Sequence, residues 1–283
     1  MPGSLNGNTR LYGIIGNPVQ HTFSPAMHNG AFSALNLNAI YVAFPVLPEL
    51  LESAVKGLKA LNIAGINVTV PYKTAIIPFL DDITPLAQSI GAVNTVIHHS
   101  GCLTGTNTDG PGFVRSLQEI SFDPAQKTIG ILGAGGSARA ILATLAKNGA
   151  KRLLLNNRTH ARAEALVAEF QLLFPHIPLE AVSLEALYPQ ELDLLINTTS
   201  AGMKDPIAPV DLKRFSTIRN VADIIYNPPE TKFLEQARQL GIPAMNGLGM
   251  LLFQGCEAFE FWTGQKAPEE VMKTELLKQI STK

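Results

Sequence analysis

The strongest constraint on the fold is an alternation of short apolar runs with helical patterns along almost the whole chain. Such alternation is typical of βαβ units, because two parallel strands need a crossover between them, and this is usually a helix. In the first third the pattern predicts strands at Leu11–Ile15, Ile40–Phe44 and Gly65–Val70, with helices at Pro25–Leu35 and Pro48–Leu61. We therefore expect an α/β fold with mainly parallel sheets.

A more regular α/β series follows between about residues 127 and 245. Its predicted strands are Thr128–Leu132, Arg152–Leu155, Leu192–Asn197, Asn220–Ile224 and Ile242–Met245. Five strands joined by helical patterns are enough for a complete Rossmann-type, doubly wound domain.

The domain organisation follows from two helical patterns without strands of their own, at Leu248–Trp262 and Pro268–Ile280. These helices need a surface to pack on, and the first third of the chain is the available one. That part ends with a predicted hairpin, Ala92–His98 and Cys102–Thr106, and a connecting helix, Asp109–Ile120. We expect a discontinuous first domain of residues 1–110 and 247–283, with an inserted domain of residues 111–246.

Charge and composition exclude several classes of partner. The 283 residues carry 22 basic and 23 acidic side chains, so the net charge is −1 and no global field favours nucleic acid or an anionic membrane. No apolar run approaches the roughly 18 residues of a membrane span. Two cysteines are too few for a disulfide scaffold, and the first residues lack the features of a secretory signal. We expect a cytoplasmic protein that binds neither nucleic acid nor membranes.

A glycine-rich turn between a predicted strand and a predicted helix indicates a dinucleotide site. It consists of Gly133, Ala134, Gly135, Gly136, Ser137 and Ala138, which match the pattern G-x-G-x-x-A. The first glycine permits the tight turn, the second lets backbone approach a pyrophosphate, and the small last residue allows close helix–strand packing. The start of the helix then offers N–H groups to the phosphates.

The residues after the next strand favour NADP over NAD. NAD sites place Asp or Glu there to hold the ribose 2′-hydroxyl, but this chain has no carboxylate between Lys151 and Ala163. Arg158 and Arg162 stand there instead, and guanidinium groups match phosphate oxygens bidentately. The alternative is that these arginines form one solvated helix face.

Polar residues cluster in four segments in and beside the first third of the chain. The segments are Gly16–Pro25, Asn67–Lys73, Gly91–Thr95 and Asn107–Gly110. They offer hydroxyls, carboxamides, one lysine and one carboxylate, whereas no arginine occurs between Leu11 and Val114. This lining suits a small, hydroxyl-rich ligand better than a polyanion.

Together these motifs resemble those of the shikimate/quinate dehydrogenase family. Those shared, in family order over about residues 11–263, are N-V-T-V-P-Y-K, G-A-V-N-T, N-T-D-G, G-A-G-G-S-A-R, N-R-T, N-T-T-S, D-I-I-Y-N-P and G-M-L-L-F-Q. The resemblance implies an NADP-dependent oxidoreductase of aromatic amino-acid biosynthesis that reduces 3-dehydroshikimate to shikimate. It also implies that residues 1–110 and 247–283 bind substrate and that residues 111–246 bind NADP.

The same resemblance implies a role for each matching residue. Lys73 and Asp109 correspond to the catalytic pair. The residues implied to bind substrate, besides that pair, are Thr22, Ser24, Asn67, Thr69, Asn94, Tyr226 and Gln254. Those implied to bind the cofactor, besides the glycine-rich turn, are Asn157, Arg158, Thr159, Arg162, Thr198, Thr199, Ser200, Gly247 and Met250.

Simpler interpretations stand beside these roles. Lys73 can be a surface lysine, and Asp109 and Ser24 can cap helices. His21 and His28 lack the further ligands that a zinc site needs, so no metal is expected. A quinate or dual-specificity dehydrogenase is the alternative activity, and a non-catalytic ligand sensor is a remote one. The chain is expected to be a monomer or a homodimer.

Overall fold

In the computed structural model of the chain, residues 5–281 are described. The chain divides into two compact units. The first runs to Gly112 and resumes at Leu252, and the second is Phe113–Leu251. Residues 247–251, expected in the first domain, therefore belong to the second unit, whereas Pro111 and Gly112, expected in the inserted domain, belong to the first.

The first unit contains six strands and several helices. In chain order its elements are β1 (Arg10–Gly16), α1 (Ser24–Ala34), β2 (Ala39–Pro45), α2 (Leu51–Ala60), β3 (Gly65–Val68), β4 (Asp82–Ile83), α3 (Pro85–Ile90), β5 (Thr95–His99), β6 (Cys102–Thr106) and the start of α4 (Asp109–Leu117). The end of the chain adds most of α9 (Leu248–Thr263) and α10 (Glu269–Ser281).

The six strands form one sheet in the order β2-β1-β3-β5-β6-β4. β1 pairs in parallel with β2 and β3, whereas β5 pairs antiparallel with both β3 and β6. The sheet is mainly parallel with the predicted hairpin added. Two strands are shorter than predicted: β3 ends at Val68 because the chain turns into Pro71, and β5 begins only at Thr95.

An aromatic cluster packs α1 and α9 on this sheet. The Trp262 ring on α9 lies 5.3 Å from Tyr12 of β1 and 5.3 Å from His28 of α1, and its Nε1 donates to the Val96 carbonyl at 3.0 Å. Gly65 makes this approach possible, since a Cβ there would lie 2.3 Å from the Trp262 Nε1. The terminal helix α9 therefore completes the core of the first unit together with α1.

The second unit is a regular α/β series. Its elements after α4 are β7 (Thr128–Leu132), α5 (Gly136–Lys147), β8 (Arg152–Asn156), α6 (His160–Leu173), β9 (Leu179–Ala181), α7 (Leu184–Leu187), β10 (Glu191–Leu192), β11 (Leu194–Asn197), β12 (Thr217–Ile218), β13 (Val221–Asp223), α8 (Lys232–Gln239) and β14 (Ala244–Met245).

The main sheet of the second unit has the order β9-β8-β7-β11-β13-β14, and every pairing in it is parallel. Numbered within the domain, this is the strand order 3-2-1-4-5-6 of a Rossmann fold. The order reverses between β7 and β11, and ligands of such folds bind at that point, beyond the carboxyl ends of the strands. None of the helices in residues 5–281 is both long and apolar enough to cross a membrane.

Candidate active site

A buried ion pair marks the polar site of the first unit. Lys73 lies in the turn after β3, and Asp109 is the first residue of α4. The Lys73 Nζ is 2.5 Å from the Asp109 Oδ2, and only 11% and 7% of the two side chains are exposed. Lys73 is therefore not an ordinary surface lysine, because its side chain is largely withdrawn from water and paired with a carboxylate.

Asn94 holds the second oxygen of the Asp109 carboxylate. Its Nδ2 donates to the Asp109 Oδ1 at 2.9 Å, while its Oδ1 accepts from the Thr108 backbone N–H at 2.8 Å. A backbone N–H can only donate, so the orientation of the Asn94 amide is fixed. The Asn94 Nδ2 also lies 3.3 Å from the Gln254 Oε1. The structure thus brings together four of the predicted site residues.

The α4 helix is capped by Asn107 and not by Asp109. The Asn107 Oδ1 accepts from the Asp109 N–H at 3.0 Å, and its Nδ2 donates to the Ala92 carbonyl at 3.0 Å. Asp109 is thereby spared the capping role and keeps its carboxylate for Lys73 and Asn94. Asn107 is fully buried, and the motif N-T-D-G was the only sequence signal for it.

Asn67 belongs to the same hydrogen-bonded chain, at its inner end. Its Nδ2 faces the Asn94 carbonyl at 3.3 Å and the Thr95 Oγ1 at 3.1 Å, and its Oδ1 accepts from the Tyr41 hydroxyl at 2.7 Å. The Thr95 hydroxyl then donates to the Asn94 Oδ1 at 3.0 Å. Tyr41 was not predicted, and Thr95 was predicted only as the end of the polar segment Gly91–Thr95, because neither residue type is unusual in a strand.

The remaining predicted residues of the first unit lie near the end of β1. The Thr22 Oγ1 is 3.1 Å from the Ser24 Oγ, and the Ser24 N–H donates to the same Thr22 oxygen at 3.2 Å. Ser24 does not cap α1, whose N-cap is Phe23. The Thr69 N–H donates to the Ile15 carbonyl at 3.0 Å. No step of the hydrogen-bonded chain described above passes through these three residues.

The glycine-rich turn of the second unit lies at the switch point of its sheet. Gly133 follows β7 with φ +109°, a conformation that favours glycine, and a Cβ there would lie 2.6 Å from the Thr198 Oγ1. Gly135 is the N-cap of α5, so no side chain caps this helix. The turn therefore has the close backbone packing and the open helix start that a pyrophosphate needs.

The loop after β11 packs against this turn. Thr198 donates to the Leu132 carbonyl from its N–H at 2.9 Å and from its Oγ1 at 2.7 Å. Thr199 is held by the Asn197 Oδ1, which accepts from the Thr199 N–H at 3.0 Å and from its Oγ1 at 2.7 Å. The predicted cofactor residues Thr198–Ser200 thus flank the switch point.

Arg158 and Arg162 surround the start of α6. Both are exposed, and Arg158 precedes the first residue of the helix, His160. The two arginines therefore do not share a helix face as an i, i+4 pair. Two cations at a helix N-terminus oppose the helix dipole, and no acidic residue in the first turn compensates for them. This cluster fits a bound phosphate group better than an empty surface.

Tyr226, Gly247 and Met250 also belong to the second unit. Tyr226 lies in the loop after β13, and the Gly247 N–H, at the start of α9, donates to the Ile225 carbonyl at 3.0 Å. Met250 is buried in the first turn of α9. Within residues 5–281, no group of three His, Cys, Asp or Glu side chains is arranged to hold a metal ion.

The strand order and the turn at Gly133 define a Rossmann-type dinucleotide-binding unit. The first unit adds a mainly parallel α/β unit that carries a buried lysine–aspartate pair among carboxamides. The protein thus has the architecture of the two-domain, nicotinamide-dependent dehydrogenases.

Comparison with known families identifies one family within this class of dehydrogenases. Three family models match the chain: "Shikimate dehydrogenase substrate binding domain" at residues 14–96, "Shikimate / quinate 5-dehydrogenase" at residues 116–216, and "Shikimate 5'-dehydrogenase C-terminal domain" at residues 247–277. Curated relatives are similar over their whole length. The NADP(+) shikimate dehydrogenase of Bacillus mycoides is 47% identical, with 96% of this chain and 99% of that one covered, and the same enzyme of Geobacter metallireducens is 47% identical, with 96% and 98% covered.

Solved structures agree with the sequence relatives. Shikimate 5-dehydrogenase of Thermus thermophilus, in complex with NADP(H) and shikimate, has a TM-score of 0.86 at 35% identity, with 95% of this chain and 99% of that one covered. A ligand-free 5-ketofructose reductase of Gluconobacter has a TM-score of 0.84 at 38% identity, with 96% and 99% covered. This chain belongs to the shikimate dehydrogenase family.

Proposed function

We propose that this protein is an NADP-dependent shikimate dehydrogenase, which reduces 3-dehydroshikimate to shikimate and catalyses the reverse reaction. The observation that carries the proposal is the Lys73–Asp109 pair, held in one geometry by Asn94. The family membership supports it, since the curated relatives over the full length of the chain are NADP(+) shikimate dehydrogenases.

The cofactor site is assigned to the second unit. The turn at Gly133 and the start of α5 would hold the pyrophosphate, while Arg158 and Arg162 would hold the 2′-phosphate that distinguishes NADP from NAD. When bound, NADPH supplies a hydride to the carbonyl carbon of the substrate. The residues proposed to contact the other end of the cofactor are Thr198, Thr199, Ser200, Gly247 and Met250.

The lysine stabilises the charge that the reaction creates. Reduction of a ketone builds negative charge on the carbonyl oxygen, which needs a hydrogen-bond donor and finally a proton. Lys73 provides a compact cation with N–H donors at that oxygen. Asp109 holds the Lys73 ammonium at 2.5 Å, and Asn94 in turn orients the carboxylate.

The hydroxyl-binding role of the amide groups follows from their polarity. In Asn67, Nδ2 already donates to the Asn94 backbone carbonyl and the Thr95 hydroxyl, whereas among residues 5–281 its Oδ1 accepts from Tyr41 only. A carbonyl oxygen has two lone pairs, so Asn67 receives a substrate hydroxyl as an acceptor. Asn94 and Gln254 complete the hydroxyl-binding set, and Thr22, Ser24 and Thr69 are assigned to the substrate carboxylate and its neighbourhood. Tyr226 is assigned as a further substrate contact by its match to the family motif D-I-I-Y-N-P.

The direct test is the loss of NADPH absorbance with purified 3-dehydroshikimate, repeated with NADH, and the reverse reaction with shikimate and with quinate. The expected result is a higher kcat/KM with NADPH than with NADH, and with shikimate than with quinate. Absence of turnover with 3-dehydroshikimate would overturn the proposal. A higher kcat/KM with quinate than with shikimate would identify the enzyme as a quinate dehydrogenase instead.

A matched pair of variants tests the role of Lys73. The Lys73→Ala variant should lose roughly 10²–10⁴-fold in kcat with little change in the Kd of NADPH, because it removes a transition-state donor. Lys59→Ala is the control, since Lys59 also forms a lysine–aspartate pair in the first unit, at 2.6 Å from Asp81, but an exposed one. Wild-type kcat in Lys73→Ala would refute the mechanism.

A further inference from the structure

The second unit contains a buried carboxylate to which the proposed function assigns no role. Asp223 is the last residue of β13 and is 1% exposed. Among the residues that the structure describes, it forms hydrogen bonds but no ion pair. Burial raises the pKa of Asp223 to about 6, and its hydrogen bonds oppose this rise only in part. A buried carboxyl group without a cation is costly, so its position calls for a compensating role.

The hydrogen bonds of Asp223 join three segments of the chain. Its Oδ1 accepts from the Asn197 Nδ2 at 3.0 Å and from the Ile225 N–H at 3.0 Å, and its Oδ2 accepts from the Thr231 Oγ1 at 2.7 Å. Asn197 ends β11 and is the register partner of Asp223, Ile225 lies in the loop after β13, and Thr231 caps α8. One carboxylate therefore fixes the carboxyl ends of two neighbouring strands and the start of a helix.

Through Asn197 this connection reaches the loop at the switch point. The Asn197 amide has one orientation, because its Oδ1 accepts from the backbone N–H of Thr199 at 3.0 Å and its Nδ2 must then face Asp223. The Thr199 Oγ1 in turn accepts from the Ala201 N–H at 3.2 Å. Asp223 thus acts on the conformation of residues 198–201 indirectly, first through Asn197 and then through Thr199.

Through Ile225 the same carboxylate reaches the segment that carries Tyr226. An aspartate that accepts from the backbone N–H two residues later forms a local turn, which sets the direction of the chain at that point. The loop of the proposed cofactor contacts and the loop of the proposed substrate contact Tyr226 are therefore anchored on one side chain.

We propose that Asp223 is a positioning residue that sets both loops for ligand binding through its hydrogen bonds to Asn197 and Ile225. The proposal rests on the proposed function, since the two loops matter only if they bind cofactor and substrate. It differs from a purely structural role, which would lower the stability of the second unit and leave ligand affinity unchanged in the folded protein.

The test compares Asp223→Ala with Asp223→Asn and with a matched control. Asp223→Ala removes the shared acceptor of three buried donors, so the Kd of NADPH from fluorescence titration should rise about tenfold or more. Asp223→Asn should stay within about threefold of wild type, because its amide oxygen still accepts from Asn197 and Ile225 while its NH₂ donates to Thr231. Asp193→Ala is the control: Asp193 accepts from the Thr128 N–H at 2.9 Å at the opposite end of β11.

The outcomes separate the possibilities. A folded Asp223→Ala protein whose Kd for NADPH equals that of Asp193→Ala would overturn the proposal, and so would an Asp223→Asn protein as impaired as Asp223→Ala. If Asp223→Ala does not fold, Asn197→Ala decides, because it removes the link from Asp223 to the Thr199 loop but leaves the hydrogen bonds of Asp223 to Ile225 and Thr231. A raised Kd supports the proposal and an unchanged Kd overturns it. Failure of wild type to bind NADPH would instead contradict the proposed function itself.

Discussion

His28 should make the first unit sensitive to acid. This histidine of α1 is fully buried and stacks on Tyr41, with ring centroids 4.5 Å apart and an angle of 13° between the planes. In the part of the chain that the structure describes, neither of its ring nitrogens has a hydrogen-bond partner. Burial lowers the pKa of His28 from 6.5 to about 3, because the charged ring would lose its hydration without gaining a partner.

The difference between the His28 pKa values of the unfolded and folded chain gives the sign and size of the change in stability. Between about pH 6.5 and pH 3 the unfolded chain binds a proton at His28 that the folded chain does not bind, so stability falls as the pH falls through this window. The full separation corresponds to about 5 kcal/mol, of which about 2 kcal/mol is lost between pH 7.5 and pH 5. The contribution is fully present only above the unfolded-state pKa.

The chain contains a convenient probe of this region. Trp262 is its single tryptophan and lies 5.3 Å from the His28 ring, so its fluorescence reports the unfolding of the first unit. Urea unfolding at pH 7.5 and pH 5 should show a loss in wild type that is about 2 kcal/mol larger than in His28→Leu, which cannot be protonated at this position. The control His99→Leu removes an exposed imidazole and should behave as wild type. An equal loss in wild type and His28→Leu would refute the reasoning.

Three further expectations concern other parts of the chain. The pKa of Asp223 is raised from 3.8 to about 6, so its effect on stability has the opposite pH dependence to that of His28. The free energy of unfolding of wild type should fall by about 3 kcal/mol as the pH rises through this window. Calorimetry should show no such fall in Asp223→Asn. Arg158→Gln should raise the KM for NADPH roughly tenfold while leaving the KM for NADH unchanged. Equal effects on the two KM values would show that Arg158 does not bind the 2′-phosphate. Gly65→Ala should lower stability by about 1–3 kcal/mol, because the added Cβ would lie 2.3 Å from the Trp262 Nε1, whereas Gly57→Ala, with nothing within 4 Å, should not.

The architecture of the second unit was largely predictable because its strands are buried on both faces. Such strands form continuous apolar runs, and the predicted Thr128–Leu132 has the same bounds as β7. The prediction missed β9, Leu179–Ala181, which has three residues and lies at the edge of the sheet. An edge strand of this length has no hydrophobic period, so only its pairing with β8 defines it.

The residues of the polar site were predictable to a different degree. Lys73, Asp109 and Asn94 belong to short motifs whose residue types are unusual at strand ends. Tyr41 lies in no such motif, and Thr95 ends the motif G-A-V-N-T without a predicted role of its own, since both residue types are ordinary in β-strands. They enter the site only because the sheet register places Thr95 opposite Asn67 and because β2 lies beside β1. No pattern within a single strand contains this information.

The direction of the hydrogen-bonded chain is a further property that no single residue encodes. Backbone groups set this direction, because each of them can act only as a donor or only as an acceptor. The Thr108 N–H donates to the Asn94 Oδ1, and the Asn94 backbone carbonyl accepts from the Asn67 Nδ2. Every amide hydrogen of Asn94 is then directed towards the Asp109 carboxylate and its neighbours. An aspartate at position 94 would have nearly the same shape but would place a second carboxylate against Asp109. The site therefore depends on which end of each amide faces the lysine–aspartate pair, and the folded backbone decides this.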